Sequence, residues 1–354
     1  MARILSVAPA LPDHEHAQEE ITAALAAGMT EDDRTRSVME RIHASSGIRT
    51  RHLALPLDEY RGLSGFTETN ELFVEHALPL AQRAVRIALE EAGLTVDDVD
   101  HLFFTTVTGL GAPSLDALLA TSMGFRSDLR RVPSFGLGCV AGAAGIARVA
   151  DYLAGHTEGV ALMVSVELCS LTLQWDDHSM ANVVGTGIFG DGAAAVVMVG
   201  DEHRLATGRS IALPRVVGSR SALYPDSAEM IGWQIGSAGF RLMLAAGVPA
   251  LIGGHFALGV DELLAERGWQ RDDVDVWIAH PGGPRVLESF ADSLELAPAA
   301  LDISWGVMER TGNMSSAAVL HALAAVGERP AGDRALLFAL GPGVTAELVL
   351  LEWS

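Results

Sequence analysis

The sequence predicts a layered α/β protein made of two similar halves. Related segments recur in the same order in the first and second parts of the chain. The candidate strands HLFFTTV, VALMVSV, AAAVVMV, VDVWIAH and ALLFALG are continuous apolar runs, which is typical of strands covered on both faces. Residues 140–154 are rich in Ala and Gly and could form a slender central helix between two sheets. We therefore expect two αβ units, residues 1–212 and 213–354.

Three pairs of segments indicate that one αβ unit was duplicated. ALEEAGLTVDDVDHLFFTT (88–106) pairs with LLAERGWQRDDVDVWIAHP (263–281), and each predicts a helix end, a short loop and an apolar strand. GCVAGAAGIARVA, from Gly138, pairs with GNMSSAAVLHALA, from Gly312, and FGDGAAAVVMVG (189–200) pairs with LGPGVTAELVLL (340–351). Related segments in the same order in both halves indicate repeated units. Helices that begin near Cys139 and Asn313 should therefore be equivalent, with neighbouring N-termini.

Composition narrows the class of protein. The chain has 354 residues, of which 49% are apolar and 19% charged, which is typical of a folded globular protein. Two cysteines exclude a disulfide framework and suit a reducing compartment. We see no apolar run near the roughly 20 residues of a membrane span, and MARILSVAPALPDHEHAQEE lacks the features of a signal peptide. We therefore expect a cytoplasmic protein with no membrane association.

The formal net charge of −21 argues against nucleic-acid binding, and an anionic substrate would need a local basic patch. MERIHASSGIRTRH supplies one with Arg41, Arg49 and Arg51, and Arg34 and Arg36 lie just upstream. A solvated surface helix is the commoner explanation of such a run. A patch that binds an anion is the alternative.

Cys139, in SFGLGCVAGAAG, is the first candidate for chemistry. It lies where a strand should end and a helix begin. The free N–H groups and the dipole of a helix N-terminus stabilise an anion, so we expect a lowered thiol pKa and an activated nucleophile. The alternative is a small buried thiol that only packs.

His280 and Asn313 are the next candidates. His280 ends an apolar strand in VWIAHPGGP, and strand ends are where ligands bind in layered α/β folds. The repeat places Asn313 at nearly the same position as Cys139, where its amide could donate to a developing oxyanion. A satisfied strand-end histidine and an N-cap asparagine are the alternatives. The three residues together are a stronger signal than any one alone.

At this point the motifs resemble those of the type III polyketide synthases, the chalcone and stilbene synthase superfamily. GCVAG, FGDGAAA, WIAHPGGP, GNMSSA and GPGVT all look like motifs of that family. The resemblance implies the thiolase fold, an α/β architecture of five layers, αβαβα. It also implies an acyltransferase in which Cys139 carries the starter acyl group as a thioester. His280 would keep Cys139 as a thiolate and, with Asn313, bind malonyl-CoA and stabilise the enolate formed on decarboxylation.

The same resemblance implies a cavity. Phe189 matches the gatekeeper phenylalanine between the CoA tunnel and the cavity, and Leu242 matches a second gatekeeper that is phenylalanine in plant members. Trp233 falls near a glycine of the plant enzymes, so it should narrow or redirect the cavity. The other cavity positions implied are Cys169, Thr172, Thr108 and Ser315. Core packing is the alternative for Phe189 and Cys169.

The resemblance also implies binding partners. Arg41 matches a phosphate-binding arginine of the family, whereas Val38 and Ser45 replace two expected lysines, so Arg49, Arg51 or Arg285 should compensate. Gly282 and Gly283 complete the implied CoA site. Ala112-Pro113 matches a dipeptide that reaches into the partner's cavity in plant homodimers, which implies a homodimer. An acyl carrier protein could deliver the starter instead of CoA. No metal, flavin or nicotinamide motif is visible, and the implied chemistry needs none.

The sequence thus predicts a bacterial type III polyketide synthase that extends an acyl-CoA starter, or malonyl-CoA itself, with malonyl-CoA and cyclises the chain to a pyrone, resorcinol or related phenol. The first alternative is a single-round ketoacyl synthase of the synthase III kind, against which the HPGG and FGDG segments weigh. The second is a non-catalytic thiolase-fold protein that binds acyl groups, against which the set of Cys139, His280 and Asn313 weighs.

Overall fold

The computed structural model describes residues 1–207 and 211–354. The first half contains both strands and helices. Its strands are β1 (Ala2–Ala10), β2 (His14–Ala17), β3 (Thr50–Leu53), β4 (His101–Thr105), β5 (Arg130–Ser134), β6 (Val160–Leu168) and β7 (Asp191–Gly200). Its helices are α1 (Gln18–Met29), α2 (Asp33–Ala44), α3 (Gly65–Ala92), α4 (Leu115–Met123), α5 (Ala141–Ala154) and α6 (Met180–Ile188).

The second half has the same plan. Its strands are β8 (Pro214–Leu223), β9 (Ile231–Gly236), β10 (Gly239–Leu244), β11 (Val276–Ala279), β12 (Arg334–Gly341) and β13 (Thr345–Trp353). Its helices are α7 (Val248–Ala265), α8 (Pro284–Leu294), α9 (Asp302–Thr311) and α10 (Ala318–Ala325). The boundary predicted after residue 212 lies just before β8, and residues 208–210, close to it, lie outside the described residues.

The two halves share one sheet topology. In the first half the order is β5-β4-β6-β7-β1, with β4 parallel to β5 and β6, and β7 antiparallel to β6 and β1. In the second half the order is β11-β12-β13-β8, with β11 parallel to β12, and β13 antiparallel to β12 and β8. The second half therefore repeats the first without a counterpart of β5. Two residue pairs join β1 to β8, so the hydrogen bonding continues through nine strands.

The repeated DDVD segments fold alike. In the first, the backbone N–H of Thr95 donates to the Asp98 carboxylate at 2.8 Å, and the chain then enters β4. In the second, the N–H of Gln270 donates to the Asp273 carboxylate, also at 2.8 Å, before β11. The same capping carboxylate thus ends the same loop in both halves.

The protein has five layers, which pack against one another through three apolar cores. Ala194, Val196 and Met198 of β7 face a central core that also contains α5, α10 and one face of the second-half strands. The alternate residues of β7 face an outer core with α1, α3 and α4. The opposite face of the second half packs on α7 and α8 in the third core. The predicted αβαβα layering, with α5 as a buried central helix, is confirmed.

Close packing in the central layer depends on small residues of α5. A Cβ on Gly142 would collide with the backbone carbonyl of Ser316, just before α10, and a Cβ on Gly145 would collide with Met163 of β6. The Ala- and Gly-rich composition therefore lets α5 approach both α10 and a sheet.

Helix α7 has the length and composition of a membrane span, which sequence reasoning overlooked. A third of it is buried, and Ile252, Phe256 and Val260 belong to the third core. It packs against α8 as the core helix of an α/β layer.

Candidate active site

Cys139 lies in a short 3₁₀ turn, Gly138–Val140, that leads directly into α5. The equivalent turn of the second half, Ser315–Ala317, leads into α10. The two turns face each other, and the Cys139 sulfur lies 3.6 Å from the Ser315 hydroxyl. The predicted neighbourhood of the two helix starts is confirmed, although Ser315 rather than Asn313 makes the contact.

Asn313 is fixed from both sides. Its side-chain oxygen accepts a hydrogen bond from the N–H of Ser315 at 2.8 Å, and its Nδ2 donates to the carbonyl of Gly282 at 3.1 Å. Its backbone N–H donates to Ile188 at 2.8 Å, and its carbonyl accepts from Gly190 at 3.0 Å. An amide carries two N–H donors, so one remains for a ligand once Gly282 has taken the other.

His280 comes directly after β11, and its backbone N–H donates to Phe338 at 2.8 Å. The side chain is 1% exposed, and both ring nitrogens lack a hydrogen-bond partner among the described residues. A Cβ on Gly282 would lie 3.2 Å from the imidazole Cδ2 and 3.4 Å from Nε2. Glycine at 282 thus leaves the ring edge clear while its carbonyl holds Asn313.

The three predicted catalytic residues therefore belong to one cluster. Ser315 links Cys139 to Asn313, and Gly282 links Asn313 to His280. A thiol nucleophile, an imidazole with two free nitrogens and an amide donor can together support acyl transfer and stabilise an oxyanion.

Burial determines the protonation states of the free protein. Burial is the main reason that the pKa of the Cys139 thiol is raised to about 11. The Glu167 carboxylate acts in the same direction, whereas the hydrogen bond to Ser315 opposes the shift. Burial also lowers the pKa of His280 to about 3. The prediction of a lowered thiol pKa is therefore wrong for the free protein, because burial disfavours the charged thiolate. The resting pair is a neutral thiol and a neutral imidazole.

Glu167 is a site residue that sequence reasoning missed. It is fully buried at the end of β6, where its carboxylate accepts from the Val107 N–H at 2.9 Å and from the hydroxyls of Thr106, Thr108 and Ser316. Burial raises its pKa. The sequence feature that could have indicated Glu167 is the single acidic residue near the end of the apolar run VALMVSVEL.

A cavity of about 310 Å³ contains most of the predicted cavity residues. Five of them line it: Phe189, Trp233, Leu242, Cys169 and Thr172. Trp233 and Leu242 are a cross-strand pair of the β9–β10 hairpin, and the rings of Phe189 and Trp233 lie 5.9 Å apart.

The remaining two predicted cavity residues lie elsewhere. Thr108 does not line this cavity and instead donates to Glu167 at 2.9 Å. Ser315 contacts the Cys139 sulfur. Both residues therefore belong to the surroundings of the thiol rather than to the cavity wall.

The predicted CoA-binding residues are divided by their exposure. Arg41 and Arg285 are exposed, and Arg49 is exposed although it pairs with Glu309 at 2.6 Å. Arg51 is 2% exposed and borders the cavity rather than the outer surface, which argues against a contact with a CoA phosphate there. Gly282 contacts the His280 ring, and Gly283 precedes α8 at a φ of +143°, which favours glycine. The chain contains no lysine, so any cation that meets a phosphate is an arginine.

Within residues 1–207 and 211–354, no three His, Cys, Asp or Glu side chains come together as metal ligands. The expectation that the chemistry needs no metal or cofactor stays a prediction.

Comparison with known proteins gives the family. The models of the N-terminal and C-terminal domains of chalcone and stilbene synthases match residues 1–202 and 215–353. A 1,3,6,8-tetrahydroxynaphthalene synthase of Streptomyces peucetius subsp. caesius is 47% identical over 353 residues, which cover 99% of this chain and 93% of that protein. A 3,5-dihydroxyphenylacetyl-CoA synthase of Amycolatopsis orientalis is 30% identical over 362 residues, which cover 100% of this chain and 94% of that protein.

The structural comparison agrees. The crystal structure of 1,3,6,8-tetrahydroxynaphthalene synthase from Streptomyces coelicolor A3(2), a bacterial type III polyketide synthase, matches with a TM-score of 0.92 and 33% identity. The match covers 99% of each chain. The fold is thus the thiolase fold that the motifs implied. The chain belongs to the chalcone and stilbene synthase family and is a type III polyketide synthase, an acyltransferase.

Proposed function

We propose that this chain condenses malonyl-CoA units iteratively, on a Cys139 thioester, to 1,3,6,8-tetrahydroxynaphthalene. The observation that carries the proposal is the cluster of Cys139, Asn313 and His280, linked through Ser315 and Gly282. The 47% identity with a synthase of that name over almost the whole chain supports the product.

The first step loads the starter. The Cys139 proton passes to a free ring nitrogen of His280, and the sulfur attacks the thioester carbonyl of the starter. The bond to CoA breaks, and the CoA sulfur takes the proton from the imidazole. His280 is 1% exposed, so little water reaches the thiol from its side, which slows hydrolysis of the acyl-Cys139.

The second step forms the carbon–carbon bond. The N–H donors of His280 and Asn313 bind the thioester oxygen of malonyl-CoA. Its carboxylate leaves as CO₂, and the electron pair becomes the enolate that these donors stabilise. The enolate carbon attacks the acyl group on Cys139, and the pair ends on sulfur as a thiolate. The thiolate can then take back the lengthened chain from CoA for another round.

The chemistry of the product indicates the starter. Its ten ring carbons and alternating hydroxyls correspond to five two-carbon units, so malonyl-CoA alone can supply every carbon. Small-molecule pockets typically range from about 300 to 1,000 Å³, and the cavity of about 310 Å³ is at the lower end of that range. Such a volume suits a compact bicyclic product better than a long acyl starter.

Assembly and CoA binding are part of the proposal. Strand β5 lies at a sheet end, and Val132 within it and Phe135 directly after it are each 44% exposed. A groove lined by Phe135 and Pro113 adjoins the strand. Pairing of β5 across a twofold axis would cover these apolar groups in a homodimer. The exposed Arg41, Arg49 and Arg285 would meet the CoA phosphates of this cytosolic enzyme.

The test is a mass-spectrometric product assay with malonyl-CoA alone and with a panel of acyl-CoA starters. We expect a five-unit aromatic product from malonyl-CoA alone. Cys139→Ala should abolish it, whereas Cys169→Ala, which removes the other cysteine, should still condense. A product that requires an added starter would overturn the malonyl-primed assignment, and a single condensation would favour the synthase III kind of activity.

A further inference from the structure

The C-terminal end of α6 carries Phe189 and is held in an unusual way. The last four carbonyls of a helix have no partner within the helix. Here they belong to residues 186–189, which we call the gate strip. Arg51 donates to the carbonyls of Thr186 at 2.9 Å and Phe189 at 2.7 Å. Each of the two carbonyls between them receives its hydrogen bond from a different residue.

Gln18 and Asn313 supply those two donors. The Gln18 Nε2 donates to the carbonyl of Gly187 at 2.8 Å, and the backbone N–H of Asn313 donates to that of Ile188 at 2.8 Å. Gln18 also accepts from the Arg51 Nε at 2.8 Å, so the two side chains form one unit. The whole gate strip is thus bonded to a buried Arg–Gln pair on one side and to a predicted catalytic residue on the other.

Arg51 is suited to this position by its shape and charge. Its planar guanidinium directs several donors at fixed angles, whereas a lysine ammonium cannot reproduce that fork. A cation at a helix C-terminus is stabilised by the helix dipole. Burial lowers the pKa of Arg51 to about 10, while the Asp191 carboxylate opposes the change, so the side chain stays charged at neutral pH.

Arg51 packs tightly against Gly312, the residue before Asn313. A Cβ on Gly312 would lie 3.1 Å from the Arg51 Cδ and 2.6 Å from the carbonyl of Ile188. The N–H of Gly190 bonds the carbonyl of Asn313 at 3.0 Å. The peptides on both sides of the contact therefore have little room to shift independently.

We propose that Arg51, with Gln18, is a positioning residue that sets the Asn313 amide and the Phe189 gate together. The proposal rests on the proposed function, because it takes Asn313 as a donor to the malonyl thioester and Phe189 as a cavity gate. Arg51 is 2% exposed and borders the cavity, but its hydrogen bonds run to the gate strip, so its proposed role is exerted through Asn313 and Phe189. It couples decarboxylation, which needs Asn313, to control of chain length, which needs the gate.

The test compares Arg51→Lys with Gln18→Glu. Arg51→Lys keeps the charge but loses the fork. Gln18→Glu keeps the acceptor for the Arg51 Nε and loses the donor to Gly187. Arg215→Gln is the matched control, since it removes a guanidinium that pairs with Glu352 at 3.0 Å, remote from the gate strip. Each variant is assayed for malonyl-CoA decarboxylation without a starter, for product distribution and for Tm.

We expect Arg51→Lys to lower kcat for decarboxylation by about 10- to 100-fold, the cost of a misplacement of about 1 Å, with KM nearly unchanged. Truncated lactones should accumulate because the gate loosens. Gln18→Glu should change the decarboxylation rate and the product distribution in the same direction but by less. If Arg51→Lys does not fold, Gln18→Glu is the variant that tests the proposal. Arg215→Gln should change Tm alone.

Two results would count against the proposal in different ways. If Arg51→Lys and Gln18→Glu lower Tm but retain the kcat and products of the wild type, the pair is purely structural and the inference is overturned alone. If the wild type itself makes no polyketide, the proposed function fails, and the inference fails with it.

Discussion

The two halves of the molecule have one topology but place different chemistry at the same point. Each half enters its central helix through a 3₁₀ turn. The first turn presents the Cys139 thiol, and the second presents Ser315 beside Asn313. The duplicated fold thus provides two facing helix starts, and in the proposed function one carries the acyl group while the other belongs to the donor set. A site of this kind needs both copies.

The halves also differ in the strands that each has beyond the shared topology. Among the described residues, only the first half has a third parallel strand, β5, which pairs with β4 and lies at the end of the sheet. The second instead contains the separate hairpin β9–β10, whose Trp233 and Leu242 line the cavity. The first half therefore ends in a strand edge, whereas the second supplies one wall of the cavity.

The largest effect should come from His280, which belongs to the second half and, in the proposed function, accepts the proton of the thiol in the first half. General-base catalysis typically contributes about 10²- to 10⁴-fold, so His280→Gln should slow acyl loading of Cys139 by a factor in that range. Iodoacetamide labelling of Cys139 should increase with pH toward the thiol pKa of about 11 in both proteins, because burial raises that pKa. At neutral pH the wild type should label faster, because its imidazole can accept the thiol proton as the sulfur attacks. Equal labelling profiles would show that the imidazole does not take the thiol proton.

Asn313→Asp should separate the two halves of the reaction. The variant keeps the oxygen that accepts from the Ser315 N–H but loses the Nδ2 donor. Removal of one oxyanion donor typically costs about 10²- to 10³-fold, so malonyl-CoA decarboxylation should decrease by that factor. Acyl loading, followed by mass spectrometry of the intact protein, should change little. A parallel loss of both activities would contradict the division of labour between the halves.

The sequence predicted most of the cluster because its motifs lie at element boundaries. Cys139, His280 and Asn313 stand at helix starts or a strand end, positions that the repeat and the apolar runs reveal. The resemblance placed Trp233 and Leu242, which prove to be paired across one hairpin. Features that depend on tertiary burial were beyond the linear pattern.

Two residues show this limit. The pKa of Cys139 is raised mainly by burial, which the linear sequence does not reveal. Arg51 belongs to a run of arginines that looked like a solvated surface. Yet β3 alternates between partly exposed and buried residues, so Arg51 faces inward with Leu53. The strand period of two could have indicated its burial.

The smallest effect concerns the central helices. The repeat aligns His321 of α10 with Ala147 of α5, and both are buried. His321 interacts through Nε2 with the Ala193 carbonyl at 2.9 Å, and burial lowers its pKa to about 4. In the unfolded chain His321 therefore binds a proton near pH 6.5, whereas in the folded chain it binds one only near pH 4. This contribution to stability is present above pH 6.5 and is lost as the pH decreases through that window.

His321→Gln can keep the bond to Ala193 without titrating. The difference in unfolding free energy between the wild type and this variant should therefore shrink by about 1 kcal/mol between pH 7.5 and pH 5.5. Urea unfolding at the two pH values measures it, with the exposed His178→Gln as control. His43 and His280, whose pKa values burial also lowers, and Asp191, whose pKa burial raises to about 6, are common to both proteins and cancel in the difference. A difference independent of pH would mean that α10 tolerates a charged imidazole, and that the surroundings of His321 are more open to water than those of Ala147 in α5.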